Sequence, residues 1–274
     1  MTAPDIVPLP AATIALVREA ARGYEILLLQ RNHQSGFMPG MFLFPGGALD
    51  PEDGVAVLYA LCDGLDTAAA DARLGTSAGG LAYWTAAVRE CFEEAGVLFA
   101  YDERGELVTL SDAATRERFG RYRAGLNAGT TGLLDVLGAE NLRVAADRLT
   151  YFSNWITPVG ARRRYDTRFF VAEAPSGQDA LHDNRETIHH LWIAPGAALD
   201  RYHSGEFKMR TPTVTTLKDF AEYDSVAGLI AAMRARRDIP AILPRIHQSG
   251  QRLFPGDAGY EAAGKPGEGG AWKP

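Results

Sequence analysis

The chain has 274 residues, 46% of them hydrophobic and 23% charged, the profile of a folded protein that buries a substantial core in one large domain. A net charge of -6 and a pI near 5.6 leave no general basic footprint, which argues against long nucleic acid as a partner. Cys62 and Cys91 are too few for a disulfide framework or a paired-Cys zinc site. Neither a signal-peptide pattern at MTAPDIVPLP nor a long uncharged apolar run is found, so a protein of the reducing cytoplasm with no membrane span is expected.

Ala11 to Val17 and Glu25 to Leu29 are short apolar runs separated by ARGYE, and Gly23 suits a tight turn, so they predict a β-hairpin. From Gln34 to Gly47 the chain is rich in Gly, Pro and aromatics, which suits a backbone bending near a ligand, with a short strand at Met41 to Phe44. Asp50 to Gly80 reads as a polar excursion holding one helix at Thr67 to Leu74. Leu81 to Ala95 is the strongest predicted helix, free of Pro and internal Gly and followed by Gly96 as a left-handed cap. Further helices are expected at Ser111 to Leu126 and Gly132 to Leu137, then three strands in TYFSNWITP, YDTRFFVAE and ETIHHLWIAP. The last third turns helical over residues 211–237, with Pro212 at the first turn and Asp224 or Ser225 as a cap. Residues 1–246 are expected to form one domain with an insertion at about 54–80, and 247–274 a flexible Gly/Pro-rich tail.

Chemistry concentrates on the long helix. With Glu90 at zero on a wheel of about 100° per residue, Glu93 falls at about 300° and Glu94 at about 40°, while Val88, Phe92 and Ala95 lie opposite. The predicted helix packs with one face and offers three carboxylates on the other. Glu90 and Glu94 are a like-charge i,i+4 pair near the negative end of the helix, so a cation should offset them. Arg89 supplies part of that, and a divalent ion on oxygen ligands would supply the rest; a solvated acidic face is the plain alternative.

RECFEEAGV, Arg89 to Val97, matches the second half of the Nudix box, G-x5-E-x7-R-E-U-x-E-E-x-G-U, at every fixed position, with Cys91 as its first apolar residue. FPGG at Phe44 to Gly47 resembles the first half. Two departures stand out: Asp53 replaces the box glutamate, and 35 residues, Gly54 to Val88, stand where the motif has seven. Lengthening a loop costs only about 0.6 kcal/mol per doubling, so the two halves can still meet. The long insertion and the lead-in LLLQRNHQSGFMPGMFLFPGG resemble the Nudix branch that contains peroxisomal coenzyme A diphosphatases, over roughly residues 10 to 240.

The resemblance implies an α/β fold, an α/β/α sandwich around a mixed sheet, here with extra C-terminal helices. It implies Mg²⁺ or Mn²⁺ held by Glu90, Glu93 and Glu94 with the Gly46 carbonyl and an outlying acid for which Glu186 is the candidate. Arg89, Glu93 and Glu94 are the expected catalytic set, Arg89 orienting the acids and either Glu93 or Glu94 taking a proton. The implied reaction is metal-dependent hydrolysis of the diphosphate link in a nucleoside diphosphate derivative, coenzyme A or acyl-CoA by the branch. ADP-ribose, NADH or a nucleotide sugar is the alternative substrate, and a non-catalytic nucleotide-sensing module is the alternative function. A homodimer is left open.

Other residues admit two readings. Arg162, Arg163 and Arg164 either grip substrate phosphate or form an exposed basic turn. His189 and His190 sit in a strand pattern and must face opposite ways. Trp155, Phe169 and Phe170 either stack on a base or fill the core, the core being the better reading, and Cys91 reads as structural.

Overall fold

The computed structural model describes residues 6–34, 38–247 and 249–263. The predicted hairpin is β1 (Leu9–Glu19) with antiparallel β2 (Tyr24–Arg31), paired Val17 to Ile26 and Glu19 to Tyr24. The single short strand expected at Met41 to Phe44 divides at Pro45: β3 (Phe42–Leu43) pairs with β2, and β4 (Gly46–Ala48) pairs with β1.

The excursion then runs through α1 (Ala56–Tyr59), β5 (Cys62–Asp63) and α2 (Thr67–Leu74) to α3 (Leu81–Ala95). β6 (Ala100–Tyr101), α4 (Ala113–Ala128), α5 (Leu133–Glu140) and β7 (Arg143–Ala145) follow, and β5, β7 and β6 make a small sheet of their own. β8 (Thr150–Ile156), β9 (Tyr165–Glu173) and β10 (Thr187–Ile193) complete the body of the main sheet. After them come α6 (Pro195–His203), α7 (Thr211–Phe220) and α8 (Val226–Ala235), then β11 (Ala241–Ile242), β12 (Arg245–Ile246) and β13 (Arg252–Leu253).

The main sheet is mixed, in the order β10-β2-β1-β9-β8-β11, with β1 and β9 parallel and Leu9 opposite Tyr165. Period-two alternation divides the central strands between two cores. Ile14, Leu16, Leu27 and Leu29 face the core that contains Trp84, Val88 and Phe92 of α3, whereas Ala15, Val17, Ile26 and Leu28 face the core that contains Leu217, Phe220, Leu229 and Met233 of α7 and α8. The result is the α/β/α sandwich. A strand covered on both faces reads as a continuous apolar run, which is what ATIALV shows.

α2 and α3 end where the sequence predicts, because their stops are written in residue type: Gly75 and Gly96 both sit in the left-handed region. α4 begins two residues later than expected, since Asp112 accepts a hydrogen bond from the Thr115 N–H and so caps the helix. α6 was not expected; its only sequence signal is Pro195 at the first turn. The expected loose tail needs correction over its described part. β12 and β13 pair, and Leu253, Tyr260 and Ala263 bury together, with the Tyr260 hydroxyl donating to the Leu243 carbonyl at 2.7 Å. The rest of that predicted tail, from 264 on, lies outside the described residues.

Candidate metal and diphosphate site

The site is assembled where β4 crosses α3. Gly46 has φ of +153°, and a Cβ there would lie 2.4 Å from the Ala12 carbonyl oxygen, so only glycine fits both the backbone angle and the pairing with β1. At Gly47 the obstacle is the acid itself: a Cβ would lie 2.4 Å from Glu90 Oε1. The two glycines thus let a carboxylate lie directly on backbone. Gly47→Ala should displace the Glu90 carboxylate while leaving the fold in place, lowering kcat/KM by about 100-fold with little change in melting temperature. Gly46→Ala meets backbone and should instead lower the melting temperature. Steady-state kinetics and thermal unfolding of the two variants separate these outcomes.

Arg89 is the hub. Its Nε donates to Asp53 Oδ1 at 2.9 Å and its Nη2 to Asp53 Oδ2 at 2.8 Å, a bidentate pair in which Asp53 is only 1% exposed. Nη2 also donates to the Ala48 carbonyl at 3.0 Å, and Nη1 to Glu90 Oε1 at 2.9 Å and Glu93 Oε2 at 3.3 Å. Burial opposes the cation, but the Asp53 hydrogen bonds and the charges of Glu90, Asp53 and Glu93 outweigh it, and Arg89 is held above its ordinary pKa. Asp53 therefore completes the box in place of glutamate. The excursion closes at the same point, where the Thr85 hydroxyl donates to the Asp53 carbonyl at 2.7 Å.

Glu94 accepts from the Gly46 N–H at 3.1 Å and lies 3.9 Å from Arg31 Nη2. Burial first, then the neighbouring Glu90 charge, push its carboxyl well above the usual range, against the pull of Arg31 and the Gly46 N–H. Burial also lifts Glu90, to about 7, despite Arg89 beside it, and raises Glu93. The expectation of an open acidic face needs revision. β4 lies on that face, β1 packs on the apolar one, and all of α3 except Tyr83 and Glu93 is buried.

Glu90 and Glu94, Gly46 and Gly47 border a cleft of about 580 Å³ with Arg31, Asn32, Arg163, Tyr165, Arg185 and Glu186. Among the described residues no three acidic or His/Cys side chains stand together as a preformed metal cage, because Glu90 and Glu93 turn to Arg89 while Glu94 turns to Gly46. The donor set still suits a hard divalent cation. Two carboxylates made costly by burial and, for Glu94, by the neighbouring Glu90 charge share a cleft with backbone oxygen and glycines that a Cβ would fill. The predicted outlying acid, Glu186, borders the same cleft: it is 64% exposed and 3.3 Å from Arg31 Nη2.

Of the three consecutive arginines, only Arg163 borders this cleft. Arg162 is exposed outside it, and Arg164 is turned inward, donating to the Thr157 carbonyl at 3.1 Å and the Ile6 carbonyl at 2.7 Å, so it ties the segment before β1 to the end of β8. His189 is exposed and His190 Nδ1 lies 2.7 Å from His182 Nδ1, and neither borders the cleft. Phe170 is core, edge-on to Trp84 at 4.8 Å, but Trp155 and Phe169 also line a second, mostly apolar cleft. Cys91 is fully buried, and burial pushes its thiol up, so it offers no thiolate. Sequence reasoning missed Arg31, whose one signal is a cation closing the buried run ILLLQ just before the Gly-rich loop.

The family model of the NUDT19 Nudix domain matches residues 3–219. The chain belongs to this Nudix family. A protein of Xenopus laevis named acyl-coenzyme A diphosphatase NUDT19 is 28% identical over 236 residues, covering 75% of this chain and 62% of the frog protein. The human protein of the same name is 27% identical over 287 residues, covering 88% of this chain and 73% of its own length. The crystal structure of a Nudix hydrolase from Alicyclobacillus acidocaldarius is 26% identical and superposes with a TM-score of 0.69, covering 82% of this chain and 96% of that one. Among the described residues no helix is long and apolar enough to cross a membrane.

Proposed function

We propose that this chain is a divalent-metal-dependent diphosphatase that cleaves the diphosphate link of a nucleoside diphosphate derivative, with coenzyme A or acyl-CoA as its substrate. The observation that carries the reading is the pair Glu90 and Glu94, buried against Gly46 and Gly47 in a cleft that Arg31, Arg163 and Arg185 also line. The names of the frog and human relatives support the choice of coenzyme A derivatives.

Glu90 and Glu94, with Glu93, the Gly46 carbonyl and Glu186, would hold Mg²⁺ or Mn²⁺. Such an ion neutralises diphosphate charge and lowers the pKa of a bound water. Arg31, Arg163 and Arg185 receive the diphosphate oxygens, for which guanidinium groups are suited. Arg89 keeps Glu90 and Glu93 pointed, and the raised pKa of Glu94 makes it, with Glu93, a carboxylate able to accept the proton of the attacking water. The two free cysteines fit work in a reducing cytoplasm.

Incubation with Mg²⁺ and coenzyme A should release adenosine 3′,5′-bisphosphate and 4′-phosphopantetheine, identified by mass spectrometry. Survival of coenzyme A while ADP-ribose or NADH is cleaved overturns the substrate and leaves the reaction. Nucleotide binding without any turnover in Mg²⁺ or Mn²⁺ overturns the enzyme in favour of a sensor.

A further inference from the structure

A second cleft of about 270 Å³ continues from the first, sharing Arg31, Gly46, Gly47, Ala48 and Tyr165 with it. Its lining is mostly apolar and includes Phe44, Trp155 and Phe169, yet one wall carries Arg210 and Arg252. These two come from distant parts of the chain: Arg210 is the residue before the first turn of α7, and Arg252 lies on β13, in the segment that the sequence assigns to a loose tail. Arg252 donates from Nη1 to the Thr211 hydroxyl, which brings β13 onto the start of α7.

That placement is costly without an anion. Arg252 pairs with no carboxylate among the described residues, and its Nε is buried with no acceptor. The α7 N-terminus beside it has no side-chain cap, and its dipole presents a further partial positive charge to the same wall. Burial and the neighbouring Arg252 charge both lower the pKa of Arg210, the mark of two cations held together in a partly dry place.

We propose that Arg210 and Arg252 form a second anion subsite that takes a phosphate monoester on the nucleoside half of the substrate, with the planar base lying among Phe44, Trp155 and Phe169. This rests on the reading that the adjoining cleft takes the diphosphate. The substrate class is thereby narrowed to nucleoside diphosphate derivatives that carry a third phosphate on the ribose, the feature that separates coenzyme A from its dephospho form.

The test compares kcat/KM for coenzyme A and dephospho-coenzyme A in the wild type, Arg252→Gln and Arg210→Gln. A charge-assisted phosphate contact corresponds to a ratio of about 10 to 100 in favour of coenzyme A, and each variant should collapse that ratio through KM. A merely structural role for Arg252 lowers both substrates alike, so an unmoved ratio overturns the subsite even if activity falls. Cleavage of either substrate by the wild type tests the diphosphatase reading separately. Calorimetric binding of adenosine 3′,5′-bisphosphate against AMP reads the subsite without turnover: the bisphosphate should bind more tightly, and lose that advantage in Arg252→Gln. Equal binding of the two nucleotides by the wild type overturns the subsite.

Discussion

Glu94→Gln is expected to lower turnover by more than about 100-fold, beyond the loss usual for residues that only support metal ligands, while the metal-free protein melts no lower than the wild type. The amide keeps an oxygen for the Gly46 N–H, so the local geometry survives, but the negative charge beside Glu90 is gone. In the wild type the folded-state pKa values of Glu94 and Glu90 lie above the ordinary value of 4.5, Glu90 at about 7. The native state therefore holds its protons longer than the unfolded chain. The contribution of these two groups to metal-free stability is greatest on the acid side and declines as pH rises from the ordinary carboxylate range through the raised values. A divalent ion reverses that penalty, so the gain in melting temperature on adding Mg²⁺ should grow over the same window. In Glu94→Gln both the pH slope and the Mg²⁺ gain should shrink. Scanning fluorimetry at pH 6 and pH 8, in EDTA and in Mg²⁺, measures the two together. Wild-type turnover in the variant would remove Glu94 from the site.

The parts legible in the sequence are those decided by local chemistry. α2 and α3 are bounded by residues whose type sets the backbone, and the hairpin β1–β2 turns at Gly23, which adopts φ of +63°. The acids were legible through spacing alone, yet their setting was not. The wheel places Glu90 and Glu94 opposite Phe92 but cannot say that β4 will lie on them, because that contact is made across residues 48 to 90. For the same reason Arg162, Arg163 and Arg164 look equivalent in sequence. The chain direction turns one to the cleft and one inward, and tertiary geometry separates them. The β12–β13 hairpin is hidden by its Gly and Pro content. Leu253 and Tyr260 bury only once the segment has folded back, and no periodicity announces that.

Arg89→Met should be the most destabilising single change in the site, by about 3–5 kcal/mol, because it strands the Asp53 carboxylate in a place only 1% exposed. Arg89 is not one ion pair among several on a surface. Its two-pronged contact with Asp53 joins the turn at Pro51–Gly54 to the last turns of α3, across the whole excursion. Lysine in its place offers a point charge and not a fork, so Arg89→Lys should recover little of the loss. Asp53→Glu restores the residue type of the family motif, yet it adds a methylene to a filled site and should itself cost about 1–3 kcal/mol. Urea unfolding at pH 7 in EDTA, run as a double-mutant cycle of Arg89→Met with Asp53→Asn, isolates the pair. Its coupling should fall toward the upper part of the usual range of about 0.5–3 kcal/mol for contacting residues. A coupling near zero would mean that the Thr85–Asp53 contact and the packing of Trp84, not the ion pair, close the excursion onto the site. Turnover distinguishes the roles further: since Nη1 of Arg89 also aims Glu90 and Glu93, Arg89→Met should lose activity under conditions where it is still fully folded, whereas Asp53→Asn, with that nitrogen in place, should lose less.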